Sequence, residues 1–338
     1  MEKIKINTLS AFTAPKDYVL DDSLKATVEL AIALNKPLLV TGAPGTGKTQ
    51  LAHKIAYELS ENGSGIKFLK DPWIFNTKTT SSAKDLFYQY DAIGHFQRKG
   101  AAKEDEVSVR DYIQLNALGA AIVQTTVGTG SDHTKELGGS KKILKKLNDS
   151  PMSSVVLIDE IDKAPRDFPN DLLNEIENYQ FYISELDLTI KAAPPKDTRI
   201  VVIMTSNFEK NLPPAFLRRC IFYHIPTPTG DRLMKIVTTR MHDFLQQQGL
   251  SLEEDQIKQR YQVVVNEFEK WGTTFNEKAP ATAELLEWLK ALELYHFFDK
   301  AISFQSLTND QKTILQYTFP VLAKSKEDLE KLAAALPK

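Results

Sequence analysis

Short apolar runs, each followed by small or polar residues, recur through the first two thirds of the chain. They occupy residues 37–40, 155–158 and 200–204. Unbroken apolar runs of this length are typical of parallel strands that are covered on both faces. After the first run, apolar residues from Leu51 to Leu59 recur at helical spacing. The pattern predicts an α/β core.

The pattern becomes purely helical after the segment PTPTG at residues 226–230. Leu233, Val237 and Phe244 fall on one helical face, and the same spacing recurs in the segments that follow. Those later segments lie near 252–271, 282–297, 309–324 and 326–336. The second part of the chain is therefore predicted to be all-helical.

These changes divide the chain into three parts. Residues 1–36 are predicted to be an N-terminal extension with a first helix, because apolar residues between Leu24 and Ile32 recur at helical spacing. Residues 37–226 are the predicted α/β core, and residues 227–338 the predicted helical domain.

The turn between the first strand and its helix contains the motif G-x-x-x-x-G-K-[ST]. Glycines let the backbone N–H groups surround a phosphate, and the helix N-terminus adds partial positive charge. Lys48 can reach the outer phosphates, and the Thr49 hydroxyl can ligate Mg²⁺. We therefore expect an ATP site at this turn. Its predicted binding residues are Gly42, Ala43, Pro44, Gly45, Thr46, Gly47, Lys48, Thr49 and Gln50.

Two adjacent carboxylates, Asp159 and Glu160, follow the apolar run at 155–158. At the end of a buried strand they would repel each other and lose hydration unless a cation or a reacting water used them. We predict that Asp159 holds Mg²⁺, directly or through water. Glu160 is predicted to polarise the water that attacks the γ-phosphate. Such a pair favours hydrolysis over transfer to a small substrate.

Polar residues also end the third apolar run, and two arginines follow it. Asn207 is predicted to hydrogen-bond the γ-phosphate or the attacking water, although TSN alone is more often a turn or a helix cap. Arg218 and Arg219 precede the apolar segment CIFYHI. In a ring, Arg219 could reach the γ-phosphate of a neighbouring subunit. The sequence leaves open which of the two arginines does so.

The order of these motifs resembles the AAA+ ATPases, and within them the MoxR-like branch. GAPGTGKT resembles Walker A, VVLIDEID Walker B, IMTSN the sensor 1 strand and LPPAFLRRC the arginine-finger segment. Two longer segments resemble MoxR-type regions, TKTTSSAKDLFYQYDAIGHF and IDKAPRDFPNDLLNEIENYQFYI. Together the matching segments cover most of residues 30–226.

The resemblance implies a P-loop NTPase αβα sandwich with a parallel five-stranded sheet, followed by a helical lid. It also implies Mg-ATP hydrolysis at the subunit interfaces of a ring, usually a hexamer. MoxR-like proteins are generally regarded as chaperones or remodelling motors, often with a partner that has a von Willebrand factor A domain. The resemblance therefore implies a motor that remodels or assembles a protein partner.

The helical part departs from the AAA+ pattern at one position. Many AAA+ lids place the sensor 2 arginine at the start of a helix that overlies the nucleotide. The matching segment here is KAPATAELLEWLKAL, where Ala283 stands at the arginine position. Lys278 is the alternative residue that could contact the phosphates.

Three smaller features complete the expectations. Residues 181–197 partly alternate and are predicted to form a β-hairpin before the sensor strand. Phe87, Tyr88 and Tyr90 are candidates for contact with a substrate or a neighbouring subunit, with burial expected for at least two of them. The lysine-containing segment 135–150 is expected to be a surface insertion rather than a nucleic-acid site, because it lacks clustered aromatics.

Net charge, cysteine content and the length of the apolar runs limit the classes of function that the sequence supports. The formal net charge is −2, from 42 basic and 44 acidic residues, which gives no support for a general attraction to nucleic acid or membranes. The single cysteine, Cys220, cannot form an intramolecular disulfide and suits a reducing compartment. No apolar run has the length of a signal peptide or a membrane span. We expect a soluble, cytoplasmic protein.

Two other function classes remain open at this point. A P-loop small-molecule kinase would need a phosphoryl acceptor in place of a water-polarising glutamate, so phosphate release without an acceptor would argue against it. A DNA-directed AAA+ motor or loader would need a basic pore or a DNA-binding module. Salt-sensitive DNA binding in a shift assay would support it.

Overall fold

The computed structural model describes residues 15–63, 65–101, 107–137, 147–194, 198–207, 211–275 and 279–337. They fall into two compact units. One unit is Leu20–Pro226, and the other combines Thr227–Lys338 with the described end of Met1–Val19.

A five-stranded parallel sheet lies at the centre of the first unit. The strands of the described residues are β1 (Leu38–Gly42), β2 (Trp73–Asn76), β3 (Tyr88–Tyr90), β4 (Ile113–Leu115), β5 (Ser154–Asp159), β6 (Gln180–Ile183), β7 (Leu188–Lys191), β8 (Ile200–Ser206) and β9 (Ile221–Ile225). The sheet has the order β2-β5-β8-β1-β9, and all of its neighbours are parallel. All residues of β1 and β8 are buried. The predicted α/β class with five parallel strands is confirmed.

Helices accompany the sheet. They are α1 (Asp22–Ala33), α2 (Lys48–Glu61), α3 (Ala92–Ala101), α4 (Ala117–Gln124), α5 (His133–Glu136), α6 (Phe168–Asp171), α7 (Leu173–Asn178) and α8 (Pro214–Leu217). The first helix begins after Asp21, whose carboxylate accepts a hydrogen bond from the Leu24 N–H at 2.7 Å. Such an N-cap satisfies a donor that the first helical turn leaves open. The helix lies within the predicted segment 1–36, in the same unit as the sheet.

Helix α4 was not predicted from the sequence. All of its residues are buried, so its apolar positions show no one-sided period. Gly119 lies against the backbone of Phe87, where an added Cβ would be 2.0 Å from the carbonyl oxygen. The close approach of this helix to the chain before β3 therefore requires glycine.

Two antiparallel strand pairs, β3–β4 and β6–β7, lie outside the main sheet. The β6–β7 pair precedes β8 and confirms the predicted hairpin. Phe87 stacks on Phe181 with ring centroids 5.0 Å apart, so the two pairs share apolar packing. Phe87 and Tyr88 are buried, as predicted for at least two of the three aromatics, while Tyr90 is half-buried.

The second unit is helical, as predicted. Its helices are α9 (Gly230–Gln247), α10 (Glu254–Gly272), α11 (Thr282–Leu294), α12 (Asn309–Thr318) and α13 (Lys326–Ala334). Trp288 is fully buried in its core, and the indole N–H donates to Thr318 Oγ1 at 2.9 Å. Across the described residues of both units, no helix is both long enough and apolar enough to span a bilayer.

Candidate nucleotide site

The loop between β1 and α2 has a backbone suited to binding an anion. Gly47 is the N-cap of α2 with φ 85°, a conformation that favours glycine, and it has no side chain to cap the helix. The first N–H groups of α2 therefore lack the side-chain acceptor that a serine or aspartate would supply. At the other end of the loop, a Cβ on Gly42 would lie 2.8 Å from the carbonyl oxygen of Ile225. Both glycines are needed for the shape of the loop.

Lys48 spans this loop from inside. Its side chain is buried, and Nζ donates to the carbonyl oxygens of Gly42 at 2.8 Å and Ala43 at 2.9 Å. A buried ammonium needs such partners because burial removes its hydration. The loop therefore holds a positive charge beside the N-terminus of a helix, an arrangement that favours phosphate.

Thr49 and Asp159 meet next to the loop. Thr49 Oγ1 donates to the two carboxylate oxygens of Asp159 at 3.2 and 3.1 Å. The Thr205 hydroxyl, from the adjacent strand β8, donates to Asp159 Oδ1 at 2.5 Å. Hydroxyl and carboxylate oxygens are the kind of ligand that Mg²⁺ prefers, so this pair fits a Mg²⁺ ion.

Glu160 follows β5 in a left-handed backbone conformation, with φ 55° and ψ 51°. Its N–H donates to Thr205 Oγ1 at 2.8 Å, and its Oε1 accepts from Asn207 Nδ2 at 3.1 Å. Because β5 and β8 are neighbours in a parallel sheet, their carboxyl ends lie at the same edge. The structure thus brings together Lys48, Thr49, Asp159, Glu160 and Asn207, which the sequence placed on three separate segments.

Three residues of this cluster had no predicted role. Thr205 links Asp159 to the backbone of Glu160, and Asp162 Oδ2 accepts from the Asn207 N–H at 3.1 Å. Lys163 Nζ contacts Glu160 Oε2. The sequence contained one indication that Lys163 could contact Glu160, namely the spacing E-x-x-K. That spacing becomes a contact only because the chain turns sharply at Glu160.

Arg219 does not join this cluster within the subunit. It lies just after α8, is exposed, and pairs through Nε with Glu177 Oε1 at 2.7 Å. Arg218 is also exposed. In the helical unit, Ala283 occupies the first turn of α11, and Lys278 lies outside the described residues.

The parallel sheet, the glycine-rich loop and the acidic residues at the strand ends are the features of a P-loop nucleotide-binding protein. The family model for the AAA domain (dynein-related subfamily) matches residues 37–220, which is more than half of the chain. The chain therefore belongs to this AAA domain family, whose members bind nucleotide and act through ATP. A comparison with curated proteins finds no match.

Proposed function

We propose that this protein is a MoxR-like AAA+ ATPase that hydrolyses Mg-ATP to remodel or assemble a protein partner. The observation that carries the proposal is the meeting of Thr49, Asp159, Glu160 and Asn207 beside the Lys48 loop. A phosphate site alone would serve many reactions. An acid placed at that site to accept a proton from water favours hydrolysis.

Each residue has a proposed role. The backbone N–H groups of residues 42–50, of which Pro44 has none, and the Lys48 ammonium bind the phosphates. To do so, Lys48 exchanges its present carbonyl partners for phosphate oxygens. Glu160 accepts the proton of the attacking water, and Asn207 orients the Glu160 carboxylate through its amide.

Thr49 and Asp159 are the residues that would hold Mg²⁺. When bound, the ion neutralises negative charge on the phosphate oxygens. Among the described residues, no group of three or more His, Cys, Asp and Glu side chains is placed to hold a metal. A site with few protein ligands suits Mg²⁺, which usually keeps several waters and phosphate oxygens in its coordination sphere.

An exposed apolar surface on α3, the helix between β3 and β4, supports a protein partner. On α3, Ile93 is 73% exposed and Phe96 is 82% exposed. Arg98 and Lys99 lie in the last turn of the same helix. Exposed aromatic and aliphatic side chains beside positive charge suit contact with a protein surface or an extended polypeptide.

The assembly and the partner are proposed from the resemblance to MoxR-like proteins. The working form is a ring, most simply a hexamer, in which Arg219 completes the site of the neighbouring subunit. The partner would carry a von Willebrand factor A domain.

The substitution Glu160→Gln tests the proposed hydrolysis. It removes the proton acceptor and keeps the side-chain shape, so ATP should bind with an affinity within about threefold of the unchanged protein. The turnover number should fall by about 10²-fold or more. Phosphate release and equilibrium binding of a fluorescent ATP analogue measure the two quantities.

Glu58→Gln is the matched control. Glu58 lies on α2 and pairs with Lys54 at 3.1 Å, away from the acidic strand ends. This control should retain normal turnover. Normal turnover by Glu160→Gln would instead show that the proton acceptor is wrongly assigned.

A further inference from the structure

Lys163 lies over the carboxylate of Glu160, the proposed proton acceptor. A 3-10 turn over Ile161–Lys163 follows β5, and the Lys163 N–H donates to the Glu160 carbonyl oxygen at 2.9 Å. Ile161 and Asp162 anchor this turn in the interior, 0% and 2% exposed. The Lys163 side chain then returns to Glu160, where Nζ contacts Oε2. The turn therefore determines that Lys163 is the lysine that reaches the acid.

Both oxygens of the Glu160 carboxylate have a donor from within the chain. Oε1 accepts from Asn207 Nδ2 at 3.1 Å, and Oε2 accepts from Lys163. A carboxylate activates water by accepting a hydrogen bond from it. An ammonium binds a carboxylate more strongly than a neutral water does, because the hydrogen bond is charge-assisted. Lys163 therefore competes with water for the oxygen that Asn207 leaves open.

The two donors differ in how firmly they are held. The Asn207 N–H donates to Asp162 Oδ2 at 3.1 Å, which ties the sensor residue to the buried turn. The Lys163 side chain is 38% exposed and ends a flexible four-carbon stem. Ion pairs that are this exposed contribute little net free energy. The contact between Lys163 and Glu160 can therefore open without disturbing the strand.

We propose that Lys163 is a positioning residue that holds the Glu160 carboxylate away from water until their ion pair opens. This role rests on the proposed ATPase function and adds a step before hydrolysis. Lys163 should therefore limit the turnover number. Nucleotide affinity should be unaffected, because the proposed phosphate contacts belong to Lys48 and the loop amides.

The first test compares Lys163→Met with Lys163→Arg. Methionine keeps the stem and removes the charge, so kcat should rise at least threefold while KM stays within twofold. Arginine keeps the charge, so its kcat should stay within twofold of the unchanged protein. A kcat for Lys163→Met equal to or below that of the unchanged protein would overturn the proposed role.

Lys270→Met is the matched control for this test. Lys270 pairs with Glu267 at 2.9 Å with the same three-residue spacing, on a helix of the other unit. Its loss should leave kcat unchanged. An equal rise in both variants would mean that removal of any such lysine charge has this effect, and the role of Lys163 would be rejected.

The second test does not depend on activity or on the folding of a Lys163 variant. Nucleotide-free protein is treated briefly with an amine-acylating reagent, and modification of each lysine is followed by mass spectrometry. Glu160→Gln breaks the ion pair, so Lys163 should be modified several-fold faster than in the unchanged protein, while Lys270 keeps its rate. Equal Lys163 rates in the two proteins would contradict the pairing.

The proposed ATPase function and the proposed role of Lys163 can be rejected separately. Normal hydrolysis by Glu160→Gln would remove the proposed function itself. Slow hydrolysis by Glu160→Gln without acceleration by Lys163→Met would leave that function intact and reject only the role of Lys163.

Discussion

At the scale of single residues, the Thr49 hydroxyl is a proposed ligand of Mg²⁺. It is within 3.2 Å of both Asp159 oxygens, and these groups are the proposed ligands of Mg²⁺. Thr49→Val removes the oxygen and keeps the branched shape. We expect the Mg²⁺ concentration for half-maximal ATPase activity to rise about tenfold or more, since even residues that only orient metal ligands have effects of this size.

Thr49→Ser serves as the control for that change, because it restores the oxygen and removes only a methyl group. A magnesium titration at saturating ATP measures both variants. If the valine and serine variants require the same Mg²⁺ concentration, the hydroxyl does not ligate the metal ion.

Much of the candidate site was predictable because it depends on residue order. The glycine-rich turn after an apolar run indicated Lys48 and Thr49, and a pair of carboxylates after a second run indicated Asp159 and Glu160. The contacts among them were not predictable. The role of Lys163 depends on the left-handed backbone of Glu160, which no local pattern in the sequence indicated.

At the scale of elements, the packing of α4 leaves no room at Gly119. Alanine in a helix ordinarily stabilises by about 1 kcal/mol relative to glycine. Here its Cβ would meet the Phe87 carbonyl oxygen at 2.0 Å, so the helix must shift. We expect Gly119→Ala to lower the free energy of unfolding of this unit by about 1–3 kcal/mol.

Gly63→Ala is the control, because nothing lies within 4 Å of a Cβ added at Gly63. It should be neutral or slightly stabilising. Urea denaturation measures both variants through the transition midpoint. A Gly119→Ala variant as stable as the control would mean that the helix does not lie this close to Phe87.

A second element-scale feature joins the turn before β3 to the β6–β7 hairpin. Glu185 accepts from Lys84 Nζ at 2.9 Å and from Tyr88 Oη at 2.7 Å. Partial burial raises the pKa of the Glu185 carboxyl, but hydrogen bonds from Lys84, Tyr88 and Ser184 outweigh it and lower that pKa to about 2. The folded state therefore favours the ionised carboxylate.

This pKa shift predicts a pH dependence of stability. Because the folded pKa lies below the ordinary 4.5, the stabilisation is present above about pH 4.5 and is lost as the pH falls toward 2. Lys84 is 47% exposed, so solvent screening limits the effect to about 0.5–1 kcal/mol. Glu185→Gln should therefore lower the Tm of this unit by about 2 °C at pH 7.

Calorimetry from pH 7 down to pH 3.5 tests this dependence. The Tm difference between Glu185→Gln and the unchanged protein should stay constant down to about pH 5 and shrink below pH 4.5. A difference that grows on acidification would have the wrong sign for a depressed carboxyl pKa.

Some helices and strands could be predicted from the spacing of apolar residues in the sequence, and others could not. The strands β1, β5 and β8 are unbroken apolar runs, and α1 has one apolar face, so both kinds were predicted. Helix α4 is short and buried on every side, which removes the period that distinguishes a helix from loop or strand. The position of this helix depends on contacts with Phe87, a residue that is distant from it in the sequence.

At the scale of the whole molecule, one subunit does not supply every proposed catalytic group. Arg219 is 46% exposed, pairs with Glu177 and lies outside the cluster around Glu160. In the proposed ring, Arg219 of a neighbouring subunit would stabilise the charge on the γ-phosphate. Under this proposal, the complete site would lie between two copies of the chain.

Mixing two inactive variants tests the shared site. Arg219→Ala keeps the phosphate loop and lacks the arginine, whereas Lys48→Ala keeps the arginine and lacks the loop lysine. In a mixed ring, a Lys48→Ala subunit can present Arg219 to the intact loop of an Arg219→Ala subunit. We expect each variant alone to lose about 10³-fold in turnover, and the mixture to regain a substantial fraction.

The control replaces the Lys48→Ala partner with a subunit that carries both substitutions. That subunit offers no arginine, so the mixture should stay inactive. Arg218→Ala alone distinguishes the two neighbouring arginines, because this variant should keep most of its turnover if Arg219 is the group that acts across the interface. Absence of rescue at every mixing ratio, with rings formed normally, would mean that each subunit completes its own site.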